Sequence, residues 1–136
     1  MNDKLLFRRA KSASGLAYAP YSGFRVGAAA LTASGEIFEG ANVENSSYGA
    51  TVCAERVAVS NAVLHGHKDG IVAIAIAAFS DGRDHKPSGF VVAHPCGICR
   101  QFIFEFGADI RIIVGKDEDH LDVRSISELL PQGFRL

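Results

Sequence analysis

All three cysteines of this chain fall in two short segments, Cys53-Ala54-Glu55 and Pro95-Cys96-Gly97-Ile98-Cys99. That placement limits the fold. Three thiolates can hold one zinc ion and leave its fourth position open, provided segments far apart in sequence meet at a point. Proline is favoured in the first turn of a helix, so Pro95 predicts a helix start carrying Cys96 and Cys99 on one face. Cys53 opens an alanine- and valine-rich stretch, residues 53–65, that reads as a second helix. Helix N-termini carry partial positive charge and favour the thiolate form. The expected geometry is two helix starts converging on one cation. Inside a regular helix Cys53 and Glu55 would diverge by about 200°. The glutamate can therefore serve the same centre only if the cation lies over the helix end. Three thiolates and one zinc dication leave a single negative charge. Arg56 is placed to donate to the sulfurs and offset it.

Other readings of these residues stand beside that one. A Cys-x-x-C pair alone suits a redox site or a structural zinc corner, and a structural site wants four protein ligands. His65, His67, His85, His94 and His120 are the candidates for a fourth. His94 is the most exacting of them, being adjacent to Pro95. Glu55 taken alone would be an ordinary helix-surface carboxylate. A zinc-stabilised binding module without catalysis would look much the same up to this point.

Composition narrows the choice. The 136 residues are 48% hydrophobic and 21% charged, as in one soluble domain spanning 1–136. A net charge of −1 leaves no electrostatic footprint for nucleic acid or for an anionic membrane. Editing of a polynucleotide would want a basic groove and stacking aromatics. Met1-Asn2-Asp3-Lys4 leads into an amphipathic segment rather than a signal peptide, and no stretch approaches the roughly 18 apolar residues of a membrane span. A cytoplasmic location is expected. An odd number of cysteines outside a secretory context argues for metal or catalysis over disulfides.

The remaining elements follow from periodicity. Leu6, Ala10, Ala13 and Ala17 keep helical spacing, with Asp3 as N-cap and Pro20 as limit. Residues 18–23 are a loop. Residues 26–31 and 36–39 read as a hairpin around Ala33-Ser34-Gly35. Residues 42–49 form a polar loop. The unbroken apolar run 71–78 reads as a strand covered on both faces. Residues 80–88 read as a loop, and Ile98, Phe102 and Phe106 form the apolar stripe of the second cysteine helix. A strand at 110–114 follows. Ser125-Ile126-Ser127-Glu128 has capping-box form and opens a last short helix ending at Pro131. The order predicts an α/β three-layer α-β-α sandwich with a mixed sheet of about five strands.

A Cys-Ala-Glu followed downstream by Pro-Cys-x-x-Cys is the three-cysteine form of a zinc deaminase signature, in which the glutamate moves protons and does not ligate. With Tyr18-Ala19-Pro20-Tyr21-Ser22, Phe24, Val26-Gly27-Ala28, Asn42-Val43-Glu44-Asn45 and Leu129-Leu130-Pro131 with Phe134, the chain resembles the small, homotetrameric cytidine deaminases of pyrimidine salvage. The similarity runs from about Tyr18 to Phe134. It implies one zinc per subunit on Cys53, Cys96 and Cys99, Glu55 as proton carrier, and hydrolysis of cytidine and 2′-deoxycytidine to the uridines and ammonia. It further implies Phe24 beside the pyrimidine ring and Asn42 and Glu44 on sugar hydroxyls. Ser46 and Tyr48 would reach a neighbouring subunit's site, and Phe134 would cover a neighbour's base. The mechanism also assigns the backbone near Ala54 and Cys96 to the base edge. A related substrate such as blasticidin S is the alternative on the same fold. Two departures stand out: the segment between Phe79 and Pro95 is a little longer than usual and carries His94, and the chain stops just after Phe134.

Overall fold

Alternation of large and small side chains along the central strand decides how the layers stack. In a computed structural model, which describes residues 1–136 apart from the side chain of Asp84, the elements are α1 (Asp3–Ser14), β1 (Phe24–Thr32), β2 (Ile37–Ala41), α2 (Ala54–Leu64), β3 (Ile71–Asp81), β4 (Ser88–Val91), α3 (Gly97–Phe104), β5 (Arg111–Gly115), β6 (Leu121–Ser125) and α4 (Ile126–Leu129). On β3, Ile74 and Ile76 face one side with Ala28 and Ala30 of β1, Ala58 and Val59 of α2, Ile103 of α3 and Ile126 of α4. Ala73, Ala75 and Ala77 face the other, against Leu6, Phe7 and Ala10 of α1. The three-layer sandwich is as the element order predicts.

The sheet runs β2-β1-β3-β5-β6, with β4 paired to the far half of β3. Only β3 and β5 are parallel, joined by α3 as the crossover. Six strands replace the expected five. The extra one, β4, begins where the loop read over 80–88 ends and runs through residues given no element; it is short and contains Gly89, so it carries little strand signal. Pairing with β3 and the contact of Phe90 with Phe79, 5.3 Å between centroids, hold it in place.

Two glycines set the spacing of the layers. A Cβ at Gly27 would lie 2.0 Å from the carbonyl oxygen of Ala10, and one at Gly40 would lie 2.6 Å from that of Ala54. Only glycine lets α1 settle on β1 and the first turn of α2 settle on β2. The second contact positions the functional site, because Cys53 caps α2.

Local expectations are corrected at four places. Asn2, not Asp3, caps α1, its side chain accepting from Leu5 N–H at 2.8 Å; Asp3 is freed to pair with Arg111 at 3.0 Å. Ala17 lies beyond the end of α1. Pro95 precedes the cap of α3 instead of standing in its first turn, and Cys96 is the cap. Ile98 is 66% exposed and leaves the predicted stripe; Phe102 and Phe106 pack partly buried against the core, and the fully buried residues of α3 are Cys99 and Ile103. The capping box at Ser125 and Glu128 forms as read. Among the described residues, no helix is long and apolar enough to cross a membrane.

Candidate active site

Cys53 and Cys96 occupy the N-cap positions of α2 and α3, both with extended backbone, and neither sulfur caps its own helix. Cys99 lies in the first turn of α3 and is fully buried. The three sulfurs lie within 4.8 Å of one another, with Cys53 Sγ and Cys96 Sγ 3.9 Å apart. Tetrahedral ligands about 2.3 Å from a zinc ion stand about 3.8 Å apart, so the spacing fits that metal. Two helix starts do converge, as the sequence implies.

Electrostatics support the same fit. The Cys53 thiol is pulled down to about 5, first by donation from Cys99 and then by the Arg56 guanidinium. Cys99 is pushed up by its hydrogen bond to Cys53 and by burial. Three sulfurs this close cannot all ionise on their own, and a cation is what would let them. Arg56 Nη2 donates to Thr51 O at 3.1 Å and reaches Cys53 Sγ at 3.8 Å, while its buried Nε has no partner. Among the described residues, no histidine or carboxylate joins the sulfur group as a fourth ligand. His67 instead pairs with Glu36 and His120 with Asp117, and His65 and His67 pack on Phe38. Among the described residues a four-ligand structural site is not formed.

Glu55 is the second residue of α2 and only 4% exposed. Cys53 stands outside the helix proper, which removes the angular conflict between the two. Burial raises the Glu55 carboxyl to about 7, and the Cys53 thiolate adds to the rise. Its carboxyl is within hydrogen-bonding reach of its own N–H and of Cys99.

A cleft of about 200 Å³ opens in front of these groups, lined by Phe24, Val26, Asn42, Thr51, Cys53, Ala54, Glu55, Ile76, Ala93, His94 and Cys96. A dry cavity of about 150 Å³ holds a benzene ring, so this one holds a single six-membered ring with its substituents. The Asn42 amide is braced across β1, its Oδ1 accepting from Val26 N–H and its Nδ2 donating to Phe24 O, both at 2.8 Å. One Nδ2 hydrogen remains for another partner. Ala54 sits at the first helical position, where N–H groups have no intrahelical acceptor.

The other predicted residues lie elsewhere in this chain. Glu44 stands outside the cleft. Its carboxylate accepts from Tyr21 N–H at 2.9 Å, from Ser22 N–H at 3.2 Å and from the Ser22 hydroxyl, pinning the 18–23 loop. Burial pushes its pKa up, yet those bonds and Arg83 outweigh it and hold the group below the usual range. Ser46 is bonded to the Tyr21 hydroxyl at 2.7 Å, and Tyr48 rests edge-on to Tyr21 on the surface. Phe134 is 65% exposed, although its carbonyl accepts from Gln101 at 3.0 Å and neighbouring Arg135 lies over Phe104. The sequence reading missed Val26, Thr51, Ile76 and Ala93 as cleft residues. Strand parity with Ala28 and Ile74 would have found the first and third.

Comparison with known proteins agrees with this geometry. The family described as the cytidine and deoxycytidylate deaminase zinc-binding region matches residues 1–116, which include all three cysteines and Glu55. A cytidine deaminase of Halalkalibacterium halodurans is 42% identical over 135 residues, 98% of this chain and 95% of that protein. One from Mycobacterium tuberculosis is 41% identical over 133 residues, covering 97% and 89%. The crystal structure of cytidine deaminase from Burkholderia pseudomallei superposes with a TM-score of 0.86 at 38% identity, covering 98% of this chain and all of that one. With a sulfur triad spaced for zinc and a buried carboxyl beside it, the chain belongs to the cytidine and deoxycytidylate deaminase zinc-binding family.

Proposed function

We propose that this chain hydrolyses cytidine and 2′-deoxycytidine to uridine and 2′-deoxyuridine, releasing ammonia, as a step of pyrimidine salvage in the cytoplasm. The observation that carries the reading is a proton carrier near 7 buried beside three converging sulfurs at the floor of a ring-sized cleft. Cys53, Cys96 and Cys99 would hold the zinc, which when bound supplies Lewis acidity enough to make water a nucleophile near neutral pH.

The protein's own groups do the rest. Glu55, ionised at the start, takes a proton from the attacking water and gives it to N3 of the cytosine ring, leaving C4 open to addition. The water oxygen bonds to C4, the proton of the new C4 hydroxyl passes through the same carboxyl to the amine, and the C4–N bond breaks as the C4 carbonyl forms, releasing ammonia. A group that must both accept and donate works best with a pKa near the working pH, and burial raises Glu55 in that direction. Phe24 and Val26 close on the ring, and the free amide hydrogen of Asn42 is available to the sugar. The N–H of Ala54 at the helix start is the donor assigned to the base edge.

Residues that line no cleft in one protomer belong to sites shared between protomers of a homotetramer. Two features support this part of the reading: Phe134 presents an exposed ring on an anchored backbone, and Tyr48 presents another beside the 18–23 loop. In this arrangement Glu44 reaches the sugar by way of the loop it pins. Nothing in the cleft or among the relatives favours the blasticidin-type alternative. The test is ammonia release from cytidine by the purified protein, with and without a zinc chelator. Release that the chelator abolishes and added zinc restores is expected; no release from the zinc-loaded protein would overturn the proposal.

A further inference from the structure

Of the three sulfur residues, Cys96 is the exposed one, while Cys99 is wedged in the core and Cys53 is half-buried. Packing therefore does little to fix Cys96, and its position depends on the backbone of the turn that carries it. Pro95 is buried at one end of that turn, and one side chain ties the turn to a distant segment. Arg100 folds back along α3 so that its Nε donates to Pro95 O at 2.8 Å, while its Nη1 donates to Leu129 O at 2.9 Å. Its own backbone N–H meets Cys96 O at 2.9 Å.

Leu129 is the last residue of α4, a helix seated independently of the metal site. Ile126 is fully buried, its N–H donates to Ile110 O at 2.8 Å, and the Ser125–Glu128 capping box closes the helix start. From this geometry we infer that Arg100 is a positioning residue, clamping the Cys96 corner of the sulfur triad to α4. The C-terminal segment after residue 116, outside the family match, thus acts on the metal centre through one guanidinium. A planar fork reaches two carbonyls at once, which an ammonium on a flexible stem does not. Partners that orient a ligand without touching the metal are worth about 10–100-fold in metal affinity.

The inference rests on zinc binding by the triad, and the experiment separates the two. Zinc-loaded parent, Arg100→Ala and Arg100→Lys proteins are mixed with an excess of a chromophoric chelator, and zinc release is followed by absorbance. A parent that binds no zinc sinks the functional reading itself. With zinc bound, Arg100→Ala should release it about tenfold faster or more, and Arg100→Lys should fall between. Arg100 borders a solvent-open groove with Asp122 and Glu128. A free guanidinium ion at low millimolar concentration can therefore enter the space left in Arg100→Ala, and should slow release again. A merely structural loss would not respond to guanidinium. Release at the parent rate in the variants, or acceleration in Arg100→Ala that guanidinium leaves unchanged, overturns the inference. Should Arg100→Ala not fold, Arg100→Lys decides alone: release at the parent rate overturns, faster release supports.

Discussion

Replacing Glu55 by glutamine should move stability and turnover in opposite directions. The side chain is nearly isosteric, 4% exposed, and shaped to its site. In the zinc-free protein, burial foremost and then the Cys53 thiolate raise its carboxyl from 4.5 to about 7. The folded chain therefore holds this proton more tightly than the unfolded one. The stability that the proton confers is complete below about pH 4.5 and is lost as pH rises through about 7. At 1.36 kcal/mol per pH unit the loss is about 3 kcal/mol. Glutamine is neutral throughout. Zinc-free Glu55→Gln should accordingly resist urea better than the zinc-free parent at pH 8, by up to about 3 kcal/mol, with the gap closing below pH 5. Zinc-loaded, the same variant should lose at least about 100-fold in kcat, roughly 3 kcal/mol of barrier, with KM little changed. Urea melts at two pH values and the fall in cytidine absorbance read both effects. A variant less stable than its parent at pH 8, or one keeping turnover within about tenfold, would refute the account of this carboxyl.

Two other substitutions test the cleft. Asn42→Ala strips partners from the Val26 N–H and the Phe24 carbonyl, and each orphaned buried group costs about 1–3 kcal/mol; Tm should fall by roughly 10 °C in a thermal melt. A melt unchanged within a degree or two would show that β1 does not need this brace. Phe134→Ala should leave chain stability within about 0.5 kcal/mol, since the ring is exposed, yet raise KM for cytidine if the ring covers a neighbour's site. Unchanged KM together with unchanged sedimentation would remove Phe134 from the site.

Residue chemistry alone was enough to name the metal centre. Cysteine has few uses in three copies beside a glutamate, and proline and helix-start signals act over a few residues, so Cys53, Cys96, Cys99, Glu55 and Arg56 were legible. So were the capping box at Ser125 and, apart from β4, the helix-strand order, because local periodicity reports itself. Tertiary structure decided what depends on packing between distant segments. The β4 strand exists because β3 offers it an edge. The buried face of α3 is Cys99 and Ile103 because the core lies on that side, while an equally apolar Ile98 faces water. Glu44 is drawn to the 18–23 loop by amides more than twenty residues away. The pKa of Glu55 near 7 is likewise a property of burial, and burial is set by where the layers meet; no spacing of letters along a chain can state it.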